Sequence, residues 1–197
     1  MVQIVTKTRL PTKQGDFTMI GFSPFADGLE HVALVRGNLE GQVLTRIHSE
    51  CLTGDVFGSQ RCDCGEQLDM AMDKINAEGA GIVLYLRQEG RGIGLGNKLR
   101  AYALQDNGMD TVQANHALGF ADDARDFNAA VEMLKVLNVS SVRLMTNNPR
   151  KVSALENAGM VVARVPLLTC VQADNADYLR TKAKKLGHLI AEAKKAS

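Results

Sequence analysis

The stretch GIVLYLRQEGRGIGLGNKLRAYALQDNG, Gly81 to Gly108, decides the fold class. GIVLYL reads as a buried strand, and NKLRAYALQDNG as a helix that stops at Gly108. The chain then alternates. RDFNAAVEMLKVLNV is an amphipathic helix that turns Phe127, Ala130, Met133, Leu134 and Leu137 inward, and VRLM is a strand. TNNPRKVSALENAG is a helix with Pro149 near its start and Gly159 past its end, and MVVARVPL is again a strand. Strand–helix–strand units of this kind imply parallel pairing.

Upstream of Gly81 the pattern differs. QIVTKTRL, DFTMIGF, HVALVRG and QVLTRIH are short strands separated by turn signals such as KQGD and RGNLEGQ. Their short connections favour antiparallel pairing. One helix, EQLDMAMDKINAEGA, follows with Leu68, Ala71, Met72 and Ile75 on a stripe. The expected architecture is mixed α/β (α+β), with antiparallel strands in the N-terminal half and strand–helix–strand units in the C-terminal half. It is expected to form one compact domain over residues 1–197, with a basic helical tail from about residue 176 whose charges face solvent.

Bulk composition narrows the function classes. Hydrophobic residues make up 45% of 197, enough for a packed core, and the net charge of +1 gives no electrostatic case for long nucleic acid or anionic membrane. No signal peptide or bilayer-spanning run is visible, so the expectation is a soluble, cytoplasmic protein. Four cysteines separated by 10, 1 and 105 residues do not form a secreted disulfide framework.

Three of those thiols crowd into HSECLTGDVFGSQRCDCG, His48 to Gly65. Zinc accounts best for Cys51, Cys62 and Cys64, because thiolates are preferred ligands of a tetrahedral ion. The bland alternative, three buried small hydrophobes, sits poorly with the interleaved Arg61, Asp63 and Glu66. Nearby, only His48 offers a fourth ligand, and Cys170 reads as a buried structural thiol. Three ligands and an open position are the arrangement of a catalytic zinc, although three thiolates weaken its Lewis acidity.

The loop between Tyr85 and Tyr102 runs strand, glycines, helix, which suits an anionic ligand. It matches neither standard nucleotide fingerprint, and a tight turn bearing two solvated arginines, Arg87 and Arg91, is the alternative. In TNNPRK, Thr146 reads locally as a helix N-cap beside Pro149. ADDARDF places Asp122, Asp123 and Asp126 around Arg125 at a helix start, where the helix dipole alone favours acids. Pattern alone leads to a zinc hydrolase with an anionic substrate.

Taken together and in order, several segments resemble the GTP cyclohydrolase II family. They are PTKQGDF, RIHSECLTGDVFGSQRCDCGEQL, LYLRQEGRGIGLGNKLRAYALQDNGMDTVQANHALGF, ADDARDF, LMTNNPRKVSALENAG, RVPL and YLRTKAKKLGHL. The resemblance implies zinc- and magnesium-dependent hydrolysis of GTP, with loss of formate and pyrophosphate, at the start of riboflavin biosynthesis. It also implies a monofunctional homodimer. By position it makes Cys51, Cys62 and Cys64 the Zn2+ ligands. It assigns GTP contacts to Arg46, Ile47, His48, Ser49, Glu50, Gln67, Glu89, Gly90, Arg91, Thr111, Thr146 and Lys151. In this scheme Gln67 and Glu89 read the guanine edge, while Arg46, Arg91, Lys151 and Mg2+ spread the triphosphate charge. Asp123 is the implied proton acceptor, Arg125 the implied nucleophile and Tyr102 a catalytic tyrosine. A guanidinium is a poor nucleophile at neutral pH, so Arg125 as an electrostatic stabiliser stands beside that role. Gln113 departs from the Glu expected in TVQAN, and LTCVQADNAD matches loosely.

Overall fold

The computed structural model describes residues 2–23, 25–170 and 175–189. Within them the chain forms two compact units that do not follow the two sequence halves. The first comprises Met1–Ser49, Leu68–Arg87 and Asp126–Leu167, and the second comprises Glu50–Gln67, Gln88–Arg125 and Leu168–Ser197.

The first unit is a seven-stranded sheet built from β1 (Ile4–Thr12), β2 (Gly15–Phe22), β3 (Val32–Arg36), β4 (Val43–Ser49), β5 (Gly81–Leu86), β6 (Ser141–Met145) and β7 (Val161–Val165). Its order is β1-β2-β3-β5-β4-β6-β7. Pairs β1/β2, β2/β3 and β3/β5 are antiparallel, whereas β4/β5, β4/β6 and β6/β7 are parallel. The mixed α/β architecture is therefore present, with one change in pairing. Despite its short link to β3, β4 lies between β5 and β6. Six of its seven residues are buried, and a strand covered on both faces belongs in the parallel interior of a sheet.

Alternation along the strands splits the apolar side chains between two cores. Ile82, Leu84 and Leu86 of β5 join Val43 and Ile47 of β4 on one face, against Ala130, Met133 and Leu134 of a helix at Asn128–Val136. Val83 and Leu44 face the other way, against Ala71, Met72 and Ile75 of the helix Cys64–Glu78. These are the stripes read from the sequence.

Among the described residues the second unit is built of helices and turns, with no strand. In chain order the helices of the described residues are α1 (Leu52–Asp55), α2 (Cys64–Glu78), α3 (Leu95–Asp106), α4 (Thr111–Ala117), α5 (Asn128–Val136), α6 (Pro149–Asn157) and α7 (Ala176–Lys185), with a 3₁₀ turn at Glu89–Gly92. Helix α4 has no apolar period long enough to announce it, but it starts on a capping box. The Asp110 carboxylate accepts from the N–H groups of Val112 and Gln113, and the Gln113 side chain accepts from the Asp110 N–H. Glutamate and glutamine both close a capping box, so the departure at Gln113 keeps the cap.

Three local expectations change. Helix α6 is capped by Asn148, not Thr146: the Asn148 side chain accepts from the Arg150 N–H, and Thr146 accepts from the Asn148 N–H. Helix α5 starts only at Asn128, with Asp126 accepting from the Asn128 N–H, so Asp123 lies outside the helix. The tail is not a uniformly solvated face, because Leu179 and Lys182 are buried while Lys184 and Lys185 are exposed. Residues 190–197 of that tail lie outside the described residues.

Candidate metal and anion site

The second unit collects its chemistry on two loops. Cys51 precedes α1, Cys62 ends the following turn, and Cys64 opens α2, so one short hairpin returns all three thiols to the same place. Their sulfur atoms lie within 4.8 Å of one another, and among the described residues no other His, Cys, Asp or Glu joins the group. Cys51 and Cys62 are 3.6 Å apart at sulfur. A disulfide needs about 2.05 Å, whereas two ligands of a tetrahedral zinc at about 2.3 Å stand roughly 3.8 Å apart. The donor set fits zinc. Gly54 makes the convergence possible, since a Cβ there would sit 3.0 Å from the Cys62 sulfur and 3.3 Å from that of Cys51.

Charge in the cluster is shared unequally. Contacts from Cys62 and Cys64, with the Lys98 ammonium, hold the Cys51 thiol far below its ordinary pKa. The contact with that thiolate pushes Cys62 up to about 11, and Cys64 rises as well. A bound dication would favour the thiolate form of all three. Cys170, by contrast, is exposed. Its N–H donates to Glu66, so the loop after β7 gives its backbone rather than a buried thiol.

The glycine loop stands beside Cys51. Glu89 accepts from the Leu52 N–H at 2.7 Å on one oxygen, and from the Gly90 N–H and Lys98 on the other. Gly90 and Arg91 both adopt left-handed backbone, φ 62° and 61°. That is unstrained for glycine and costly for arginine. It is a real departure from a plain turn. Both terminal nitrogens of Arg91 are buried without a hydrogen-bond partner, and its guanidinium lies 5.6 Å from the Tyr178 ring.

The segment before α5 is fastened to this loop by a bond from the Ala124 N–H to the Arg91 carbonyl. It carries a bidentate ion pair, in which Arg125 Nε and a terminal nitrogen donate to the two Asp123 oxygens at 2.8 and 2.7 Å. Burial disfavours the Arg125 charge, but Asp123 outweighs it and raises the pKa above the ordinary arginine value. Tyr102, one turn beyond Lys98 on α3, is half-buried. Burial raises the pKa of its phenol against a hydrogen bond with Thr53. Gln67 donates to Asp63, Thr111 begins α4, and Glu50 precedes Cys51.

The remaining sequence-derived residues belong to the first unit. Arg46, Ile47, His48 and Ser49 end β4, and Thr146 follows β6. Ligands of open α/β sheets gather at these carboxyl ends of parallel strands. Arg46 donates to the Met145 carbonyl at 3.0 Å, and Lys151 to the Ile47 carbonyl at 2.8 Å.

Sequence reading passed over Lys98, Tyr178 and Lys182, and noted Asp63 only as a polar residue among the thiols. The spacing Lys98–Tyr102, one helical turn, was a usable signal. The pair Lys182–Asp63, 2.6 Å apart and buried, joins residues 119 apart in the chain, and no local pattern marks it.

The pattern of the GTP cyclohydrolase II family matches residues 3–166. The chain belongs to the GTP cyclohydrolase II family. It is 59% identical to the GTP cyclohydrolase-2 of Klebsiella pneumoniae subsp. pneumoniae over 94% of each chain. It is 58% identical to that of Escherichia fergusonii, over 95% of this chain and 96% of the relative. The Escherichia coli O9:H4 enzyme of that name is 58% identical over 94% of this chain and 96% of its own. Like other members of the GTP cyclohydrolase II family, the chain is a hydrolase. Among the described residues no helix is long and apolar enough to cross a membrane.

Proposed function

We propose that this chain hydrolyses GTP to 2,5-diamino-6-(5-phosphoribosylamino)pyrimidin-4(3H)-one, formate and pyrophosphate, the first step of riboflavin biosynthesis. Water is consumed at each cleavage. One molecule opens the imidazole ring at C8 to a formamide, another splits the formamide to formate and the free amine, and another breaks the α–β phosphoanhydride. The observation that carries this reading is the convergence of three cysteine sulfurs with no fourth protein ligand among the described residues, in a chain of this family. Cys51, Cys62 and Cys64 would hold zinc, which when bound supplies Lewis acidity and a water acidified toward neutral pH.

The other roles follow from the side chains. Tyr102 keeps its proton, because burial raises its pKa, and can donate it or orient a reacting group. Gln67 reads the guanine edge. Glu89, with both oxygens already accepting from the chain, acts by fixing the turn that presents Gly90 and Arg91. Arg91 offers its unpartnered nitrogens to phosphate oxygens. Arg125 is held protonated by Asp123, so we assign it to stabilising charge at the α-phosphate rather than attacking it. Asp123 then anchors the guanidinium.

In the same reading Glu50, Thr111, Arg46, Ile47, His48, Ser49, Thr146 and Lys151 contact GTP, Mg2+ accompanies the phosphates, and the working form is a cytoplasmic homodimer. The test is to incubate zinc-loaded protein with GTP and Mg2+, identify products by mass, and assay formate and pyrophosphate. Both small products with the pyrimidinone are expected. A retained formyl group, or no turnover by zinc-loaded protein, contradicts the proposal.

A further inference from the structure

We infer that Lys98 is a positioning residue of the metal centre: its ammonium joins the Cys51 sulfur to the Glu89 carboxylate and offsets negative charge on the thiolates. The inference rests on the reading of the three cysteines as metal ligands.

Lysine is seldom buried unless paired, and Lys98 is 7% exposed. Its Nζ lies 3.1 Å from Cys51 Sγ and 2.8 Å from Glu89 Oε1. The other Glu89 oxygen accepts from the N–H of Leu52, the residue bonded to Cys51. A closed circuit results, from Cys51 Sγ to Lys98 to Glu89 to Leu52 and back through one peptide bond. It fixes the sulfur of the first ligand against the turn that carries Arg91. Simple charge neutralisation of Glu89 would not require the ammonium to reach a sulfur as well.

The chemistry of the donor set gives this contact a purpose. A zinc ion with three thiolates carries one surplus negative charge, and sulfur donation weakens it as a Lewis acid. A charge-assisted N–H donor withdraws electron density from the sulfur it touches, and partners outside the ligand set tune metal sites in this way. Lys98 sets a positive charge directly against the first of these sulfurs without replacing a thiolate by imidazole, although with Glu89 included the centre keeps one negative charge. From one turn along α3 the same ammonium sits 5.7 Å from the Tyr102 ring centre, so one lysine sets the surroundings of both groups.

Cobalt(II) substitution tests this by a signal other than turnover. The purified chain is loaded with cobalt, and the sulfur-to-cobalt charge-transfer band is recorded beside the d–d bands of a tetrahedral site. Lys98→Met is expected to move the charge-transfer band to longer wavelength with the d–d pattern kept, while Lys98→Arg stays closer to the parent protein. In the zinc form, Lys98→Met should lower kcat for GTP by about 10–100-fold with a smaller change in KM. A charge-transfer band in Lys98→Met that coincides with the parent band overturns the inference. Should Lys98→Met fail to fold, Lys98→Gln keeps an N–H donor without charge; a smaller shift in the same sense supports the inference, and no shift overturns it. Absence of any sulfur-to-cobalt band in the parent protein would instead defeat the metal reading itself, and this inference with it.

Discussion

Each of the two units of this protein is stabilised internally by different physics. Both apolar clusters of the described residues consist of first-unit side chains, with Ile47, Ile82, Leu84 and Leu144 fully sequestered between sheet and helices. The second unit instead buries ion pairs: Lys98 on Glu89, Arg125 on Asp123 and Lys182 on Asp63. Apolar burial stabilises a fold but does no chemistry. Buried charge is costly unless paired, and it is where protonation states and anion affinity can be set. The apolar clusters and the buried ion pairs thus fall in different chain segments.

The contrast is broken most severely at the cysteines. Cys62→Ser should lose bound zinc and lower formate release from GTP at least about 1,000-fold, a loss on the scale of removing a catalytic metal's function, while circular dichroism keeps the sheet signal. Metal analysis and a formate assay check it together. Arg125→Ala comes next, with a drop of about 100–1,000-fold in kcat, the range seen when one preorganised stabiliser of developing charge is removed. Arg125→Lys should recover little, since the planar fork that engages Asp123 is lost.

Stability variants sharpen the same comparison. Lys182→Met removes the cation paired with buried Asp63, which keeps its hydrogen bonds from Gln67 and Thr169, and should cost about 3–5 kcal/mol. Leu144→Ala in the sheet core should cost about 2–5 kcal/mol through lost burial and a cavity. Denaturant titration measures both, and salt should alter neither strongly. The smallest effect is expected at Gln113→Glu, within about 0.5 kcal/mol, because either side chain closes the capping box. The acid limb near this cap has a defined sign. Burial pushes the Asp110 carboxyl up, but the bonds from Lys185, Gln113 and Val112 outweigh it and lower its pKa. The stabilisation is therefore complete above the unfolded carboxyl value of 3.8 and is lost as pH falls through the lower folded value.

What was legible in the sequence follows this division. Strands such as GIVLYL and helices such as the one bearing Ala130, Met133 and Leu134 announce themselves because period-two and period-3.6 patterns are local. The three cysteines were legible because thiols are scarce here and the hairpin is short. Position within the sheet was less so: β4 looked like a hairpin partner, and only its burial on both faces places it centrally. Least legible were the long-range charge contacts. Lys182 looked like one more solvated lysine in a basic tail, because nothing near it in sequence says that Asp63 waits 119 residues away. Cys170 misled in the opposite direction, since proximity to a strand suggested burial.

The most direct test of the account is X-ray absorption at the zinc edge of the metal-loaded chain, which counts ligand atoms by type. Three sulfurs at about 2.3 Å and one oxygen or nitrogen at about 2.0–2.2 Å are expected. Four sulfurs would mean that Cys170 closes a structural site with no position left for substrate or water, and that result would contradict a metal-dependent reaction centre in the second unit.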